Sequence, residues 1–150
     1  MQRALVLAAP RSFSFLKLGE ELRSVDRDGI PEFKIAAEPT GLDIRWTADP
    51  TRYVDFSIGS HQQMAIDDYL EETDHDLEFR RRISEQVIYV LLSNSVPLLR
   101  RILEMALEHI ARKGEDAWVD DDHGNVAPAA YFLKRLKEES SWNLKIDEQS

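Results

Sequence analysis

Hydrophobic and polar residues alternate strictly in three short stretches between residues 33 and 58. The apolar members of the three stretches are Phe33, Ile35 and Ala37, then Leu42, Ile44 and Trp46, then Val54, Phe56 and Ile58. Mostly polar residues separate them, which is typical of strands with one buried and one solvated face. Turn residues at 38–41 and 49–50 lie between the stretches. The pattern therefore predicts an antiparallel meander over residues 32–58.

The apolar run at residues 87–92 is β-branched and aromatic and stops at Ser93. It predicts a strand buried on both faces. The apolar residues that follow have the spacing of one helical face and are Leu98, Leu99, Ile102, Leu103, Ala106, Leu107 and Ile110. Ser95 and Pro97 suit a helix start, and Gly114 suits a helix end. We therefore expect a core helix over residues 97–113.

Shorter elements are predicted towards both termini. Residues 4–8 predict a strand, and Ser12 or Ser14 can cap a helix that the turn at Asp28-Gly29 closes. Ser60 with Gln63 matches a capping box that opens another helix. Residues 117–119 predict a brief strand.

The last helix has Pro128 in its first turn. Its inward stripe is Ala129, Phe132, Leu133 and Leu136. The tail after Glu138 contains Trp142, Leu144 and Ile146, for which a strand and a cover over a sheet edge both remain open.

These elements predict one α+β domain over residues 1–150, an antiparallel β-meander packed on helices with a C-terminal strand-helix-strand-helix unit. A chain of 150 residues is long enough to bury roughly 70% of its unfolded surface. Residues 146–150 are expected to form a flexible tail.

Composition narrows the environment and the chemistry. The absence of cysteine excludes a disulfide framework, a thiolate nucleophile and cysteine-ligated zinc, and it fits a reducing compartment. The longest apolar runs are far shorter than the roughly 20 residues that cross a bilayer, so no membrane partner is expected. We therefore expect a cytoplasmic protein.

Charge is spread unevenly along the chain. Residues 1–59 carry 8 Lys/Arg and 9 Asp/Glu, whereas residues 60–150 carry 11 and 19. Such acidity disfavours nucleic acid and suits a basic protein partner. The exposed side of the helix that Ser60 caps would present Asp67, Asp68, Glu71 and Glu72, which we assign to partner binding. The alternative, given equal weight, is that this block only maintains solubility, with Arg80, Arg81 and Arg82 partly neutralising it.

A second acidic group, Asp120, Asp121 and Asp122, is followed by His123. Carboxylates and an imidazole near a glycine could hold a hard cation. An EF-hand loop starting at Asp120 would need Gly at its sixth position and Glu at its twelfth, where this chain has Asn125 and Tyr131. The preferred interpretation is a solvated turn before a helix, and we assign the three aspartates to partner binding.

No sequence motif indicates an enzyme. The histidines His61, His75, His109 and His123 are dispersed, without a metal-ligand spacing. Serines near helix starts lack the Gly-x-Ser-x-Gly elbow, and no glycine-rich phosphate loop is present. We therefore expect no metal, no cofactor and no catalysis.

Residues 116–128, followed by Phe132, Leu133 and Leu136, resemble the C-terminal segment of small acidic bacterial proteins. Some of these are similar to immunity proteins of contact-dependent and other polymorphic toxin systems. The resemblance covers about the last third of the chain and implies a stoichiometric inhibitor of a basic bacterial toxin. Two alternatives stay open: a small enzyme or ligand-binding domain with a site near Asp120 and His123, and a structural or assembly subunit. The oligomeric state is also open.

Overall fold

The computed structural model describes residues 2–59, 86–121 and 126–145. The elements before residue 60 are strand β1 (Arg3–Ala9), helix α1 (Phe15–Ser24), and strands β2 (Asp26–Arg27), β3 (Ile30–Pro31), β4 (Phe33–Glu38), β5 (Gly41–Trp46) and β6 (Tyr53–Ile58). The later elements are strand β7 (Val87–Ser93), helix α2 (Val96–Ala111), strands β8 (Trp118–Asp120) and β9 (Val126–Pro128), and helix α3 (Ala129–Glu138). The predicted helix from Ser60 and the predicted flexible tail at 146–150 lie outside the described residues.

The main sheet of the described chain has the order β4-β5-β6-β7-β1-β8-β9, with every neighbouring pair antiparallel. Strands β2 and β3 form a separate small hairpin. The predicted α+β class and the antiparallel meander, β4-β5-β6, are confirmed. The predicted C-terminal unit is also present as β7-α2-β8-α3, with the additional strand β9 before α3.

Local sequence explains where the first two helices begin. The Ser14 hydroxyl accepts a hydrogen bond from the Lys17 amide at the start of α1, and Ser95 does the same for Leu98 at the start of α2. Both are N-caps of the predicted kind. Gly114 follows α2 with φ of 69°, a left-handed conformation that glycine adopts without steric cost.

Asp28 and Gly29 do not close α1. The helix ends at Ser24, and Asp28 and Gly29, with φ of 56° and 81°, form the turn of the β2–β3 hairpin. Two consecutive positive φ values match the turn type that two-residue hairpins prefer. The sequence signal for a turn was therefore right, whereas its assignment to the helix end was wrong.

The core lies between the helices and one face of the sheet. Its fully buried side chains include Leu103 of α2, Phe56 of β6 and Leu91 of β7. On the other face, Ile88 packs with Ala8 and Trp118 in a smaller buried cluster. The prediction that β7 is buried on both faces therefore holds at Ile88, while Val90 and Leu92 on the same face are half-buried.

The C-terminal tail packs as irregular chain rather than as a strand. Trp142 and Leu144 are buried in the core, and Leu144 has φ of 70°. The guanidinium of Arg100 donates to the carbonyls of Leu136 at 3.0 Å and Glu139 at 2.9 Å, and also to that of Trp142. The half-buried Arg100 of α2 therefore links the C-terminal tail to the domain through these three hydrogen bonds.

Membrane crossing needs a helix of about 20 apolar residues. Among the residues that the structure describes, no helix reaches that combination of length and apolarity.

Candidate functional site

The predicted partner-binding residues divide into those that the structure describes and those that it does not. Asp67, Asp68, Glu71, Glu72 and Asp122 lie outside the described residues. Asp120 is half-buried at the end of β8, where it pairs with Val6 and Val126.

Asp121 is fully buried, with 0% of its surface exposed. It directly follows β8, which pairs with β1 on one side and with β9 on the other. The expectation that Asp121 belongs to a solvated turn was therefore wrong, and its carboxylate is not part of an exposed docking surface.

The two acidic groups do not begin at the same level of the sheet. Residues 60–85 connect β6 to β7, and the Gly59 amide donates to the Ile88 carbonyl at 3.0 Å where this connection starts. Ile88 pairs with Ala8 near the end of β1, and Ala8 pairs with Trp118. The chain continues from Trp118 towards Asp120 in the opposite direction, alongside the earlier part of β1.

A groove between α2 and α3, here called the α2–α3 groove, lies at the end of the sheet where residues 60–85 begin. Its volume is about 380 Å³. Its apolar lining consists of Leu107, Ile110, Ala111, Ala117, Pro128, Ala129, Ala130 and Leu133, and its polar lining of Glu115, Asp116, Lys134 and Lys137. The Ala129 amide donates to the Ala117 carbonyl at 2.8 Å and fixes the start of α3 beside the groove.

Most of the charged residues around the groove form ion pairs or hydrogen bonds with other groups. Lys137 lies 3.7 Å from the Glu108 carboxylate, and Glu115 accepts a hydrogen bond from the Ser12 hydroxyl. The volume falls within the range of small-molecule sites, which are mostly apolar with a few placed polar groups. An apolar recess with a charged rim can equally receive an anchoring side chain of a protein partner.

A second polar cluster joins α1 to α2 around His109. The imidazole is 8% exposed, and its Nδ1 lies 3.2 Å from Oε2 of Glu21. Arg112 binds the other oxygen of Glu21, and the ring of Phe13 meets the imidazole edge-on with centroids 5.8 Å apart. The Nε2 atom is buried and has no hydrogen-bond partner in the described part of the chain.

A histidine oriented by a carboxylate is one part of the arrangement that activates a serine nucleophile. Ser12 and His109 border the same small void, but the Ser12 hydroxyl donates to Glu115 instead of to His109. The nucleophile-to-base hydrogen bond of a triad is therefore not made, and the cluster tethers the two helices. The apolar spacing of α2 placed His109 near the buried face, but no sequence signal could identify Glu21 as its partner.

Two further chemical possibilities can be judged from the described residues. Burial raises the pKa of Tyr89, which favours the protonated phenol in the folded protein. Across residues 2–59, 86–121 and 126–145, no three His, Cys, Asp or Glu side chains are grouped so that they could hold a metal ion.

Comparison with known proteins found no match for this chain. No protein-family model matches it, and neither does any curated protein or any solved structure.

Proposed function

We propose that this protein is a protein-binding module that neutralises a basic bacterial toxin by stoichiometric binding through its acidic segment, defined as residues 60–85. The toxin as partner follows from the resemblance to immunity proteins. The acidic segment as docking element follows from charge distribution and topology. The observation that carries the proposal is the insertion of this segment between two strands that need no long connection.

Strands β6 and β7 are antiparallel neighbours, with Ile58 opposite Tyr89. A connection of 2 to 5 residues is the usual one for such a pair. Here residues 59–86 separate the two strands. Long connections in compact domains usually serve a function, since the fold does not require them.

The acidic surplus is concentrated outside the described framework. Residues 2–59, 86–121 and 126–145 together carry 16 Lys/Arg and 17 Asp/Glu, which nearly balance. The acidic segment alone carries 3 Lys/Arg and 8 Asp/Glu. The charge that would attract a basic partner is thus carried by the insertion, while the framework is nearly neutral.

The α2–α3 groove supports docking at the end of the sheet where β6 ends. It lies at the level of the sheet where β6 ends and the acidic segment begins, and an apolar recess of this kind can receive an anchoring side chain of a partner. Interfaces commonly combine an apolar anchor site with a charged rim.

The experiment starts with a pull-down from the native host and identification of the partner by mass spectrometry. Association rates are then compared for the wild type and for a quadruple variant with Asp67→Asn, Asp68→Asn, Glu71→Gln and Glu72→Gln. We expect slower association of the variant at low salt and a wild-type rate that falls with added salt. The reason is that exposed charges are screened over roughly 8 Å at physiological ionic strength.

The control removes the same number of charges from the framework. Glu20→Gln, Asp26→Asn, Asp28→Asn and Glu138→Gln change four exposed carboxylates that form no described ion pair. This variant should associate at nearly the wild-type rate. Equal rates for the wild type and the acidic-segment variant at low salt would rule out the segment as the docking element. A metabolite that stays bound to the purified protein would favour the second candidate, small-molecule binding in the α2–α3 groove.

A further inference from the structure

Strand β4 forms one edge of the main sheet. Within the described residues it pairs only with β5, and four of its six residues are exposed, namely Lys34, Ala36, Ala37 and Glu38. An edge strand leaves a row of backbone N–H and C=O groups that another strand can pair with.

The hydrogen-bond register identifies which groups face outward. The Thr47 amide donates to the Glu32 carbonyl at 3.0 Å, in continuation of the β4–β5 register. Bonding alternates along an antiparallel strand, so the even-numbered residues of β4 bond to β5. Phe33, Ile35 and Ala37 therefore direct their backbone groups towards the open edge.

We propose that two copies of this chain dimerise by antiparallel pairing of their β4 edges, with Ala36 on the two-fold axis. The inference is independent of the toxin-binding function. In this register Ile35 exchanges backbone hydrogen bonds with Ala37 of the partner subunit, and Ala37 does so with the partner subunit's Ile35. These are residues whose backbone groups already face outward.

Charge favours the register with Ala36 on the axis over the register with Ile35 on the axis. With Ala36 on the axis, Lys34 lies opposite Glu38 of the partner subunit, and symmetry forms the pair twice. With Ile35 on the axis, Lys34 would instead lie opposite Ala36 of the partner subunit, and Glu38 opposite the partner subunit's Glu32, whose carboxylate is already paired with Arg101 at 3.4 Å. Opposite charges in directly facing positions stabilise strand pairing, and like charges destabilise it.

Both faces of the extended sheet are compatible with this pairing. On the helix side, half-buried Ile35 would meet the exposed Ala37 of the partner subunit. On the other side, two small Ala36 side chains would face each other between the charged pairs. Because a six-residue strand pair is a small interface, we expect a weak dimer with a dissociation constant of roughly 10 to 500 μM.

A single cysteine tests the geometry, since the chain has none of its own. Ala36→Cys would place two thiols at a non-hydrogen-bonded pair with Cα atoms about 4.5 Å apart, a separation that a disulfide spans. The control is Ala37→Cys, whose two copies would be separated by roughly 8 Å, too far for a disulfide. We expect the first variant to form a covalent dimer at least about ten times faster under mild oxidation, because only it meets the disulfide geometry. Equal rates, or faster cross-linking of the control, would overturn the proposed register.

Sedimentation velocity tests the charge pairing without cysteine. Lys34→Glu and Glu38→Lys should each weaken self-association, and a mixture of the two variants should restore it as a heterodimer with two opposite-charge pairs. A wild-type protein that stays monomeric up to roughly 1 mM would overturn the proposal, because the expected dissociation constant is lower.

Discussion

Leu103 provides the sharpest test of the core, because it lies on the buried face of α2 and is 0% exposed. Leu103→Ala removes apolar side-chain volume from a site enclosed by packed neighbours. We expect a loss of roughly 2 to 5 kcal/mol in the free energy of unfolding, the range for such truncations. For a domain of this length, that corresponds to a fall in Tm of about 4 to 20 °C.

The assay is urea denaturation followed by circular dichroism, with a shifted midpoint and an unchanged slope as the signature of a stability change. Leu16→Ala is the matched control, because Leu16 lies on a helix but is 53% exposed. It should alter stability by no more than about 0.5 kcal/mol. A loss below about 0.5 kcal/mol for Leu103→Ala would refute its placement in the core.

Two other substitutions test backbone packing and a turn. Gly41→Ala would put a methyl group 2.2 Å from the Phe56 carbonyl oxygen, so chemical denaturation should show a loss of about 1 to 3 kcal/mol in the free energy of unfolding. Gly59→Ala, whose nearest neighbour among the described residues would be 3.8 Å away, should change stability little, and a similar loss for both would refute the steric argument. Hydrogen bonds from Thr51 lower the pKa of Asp49, so its ionised form contributes stability that is present above about pH 4 and lost as pH falls through the folded pKa. The stability gap between wild type and Asp49→Asn should therefore narrow between about pH 6 and about pH 3, and a constant gap would contradict the assignment.

The meander could be predicted because its information is local. Each strand alternates over six residues, and each hairpin has its own turn residues, as with Pro39 between Glu38 and Gly41. Helix α2 was equally predictable, since its cap, its apolar stripe and its terminal glycine lie in one continuous segment.

Elements that depend on distant contacts could not be predicted. Strands β2 and β9 have two and three residues, too few to show a period. The position of β1 between β7 and β8 joins residues 78 to 114 positions apart, and no local pattern contains that pairing. The apolar spacing at Trp142 and Leu144 left a strand and a cover over a sheet edge both open, and it could not show that Arg100, 42 residues before Trp142, binds the tail as irregular chain.

The candidate site likewise combines features that the sequence could predict with features that depend on distant contacts. Composition alone revealed the acidic surplus, because charge is a property of the chain and not of its contacts. Composition could not show that Asp121 is fully buried, nor that His109 meets Glu21 across 88 positions. It also could not show that the acidic segment connects two strands that are neighbours in the sheet. Only the β6–β7 pairing reveals this. That pairing gives the charge its significance: the described framework is nearly neutral, and two antiparallel neighbours such as β6 and β7 need no long connection, so the topology of the described strands does not account for the acidic segment.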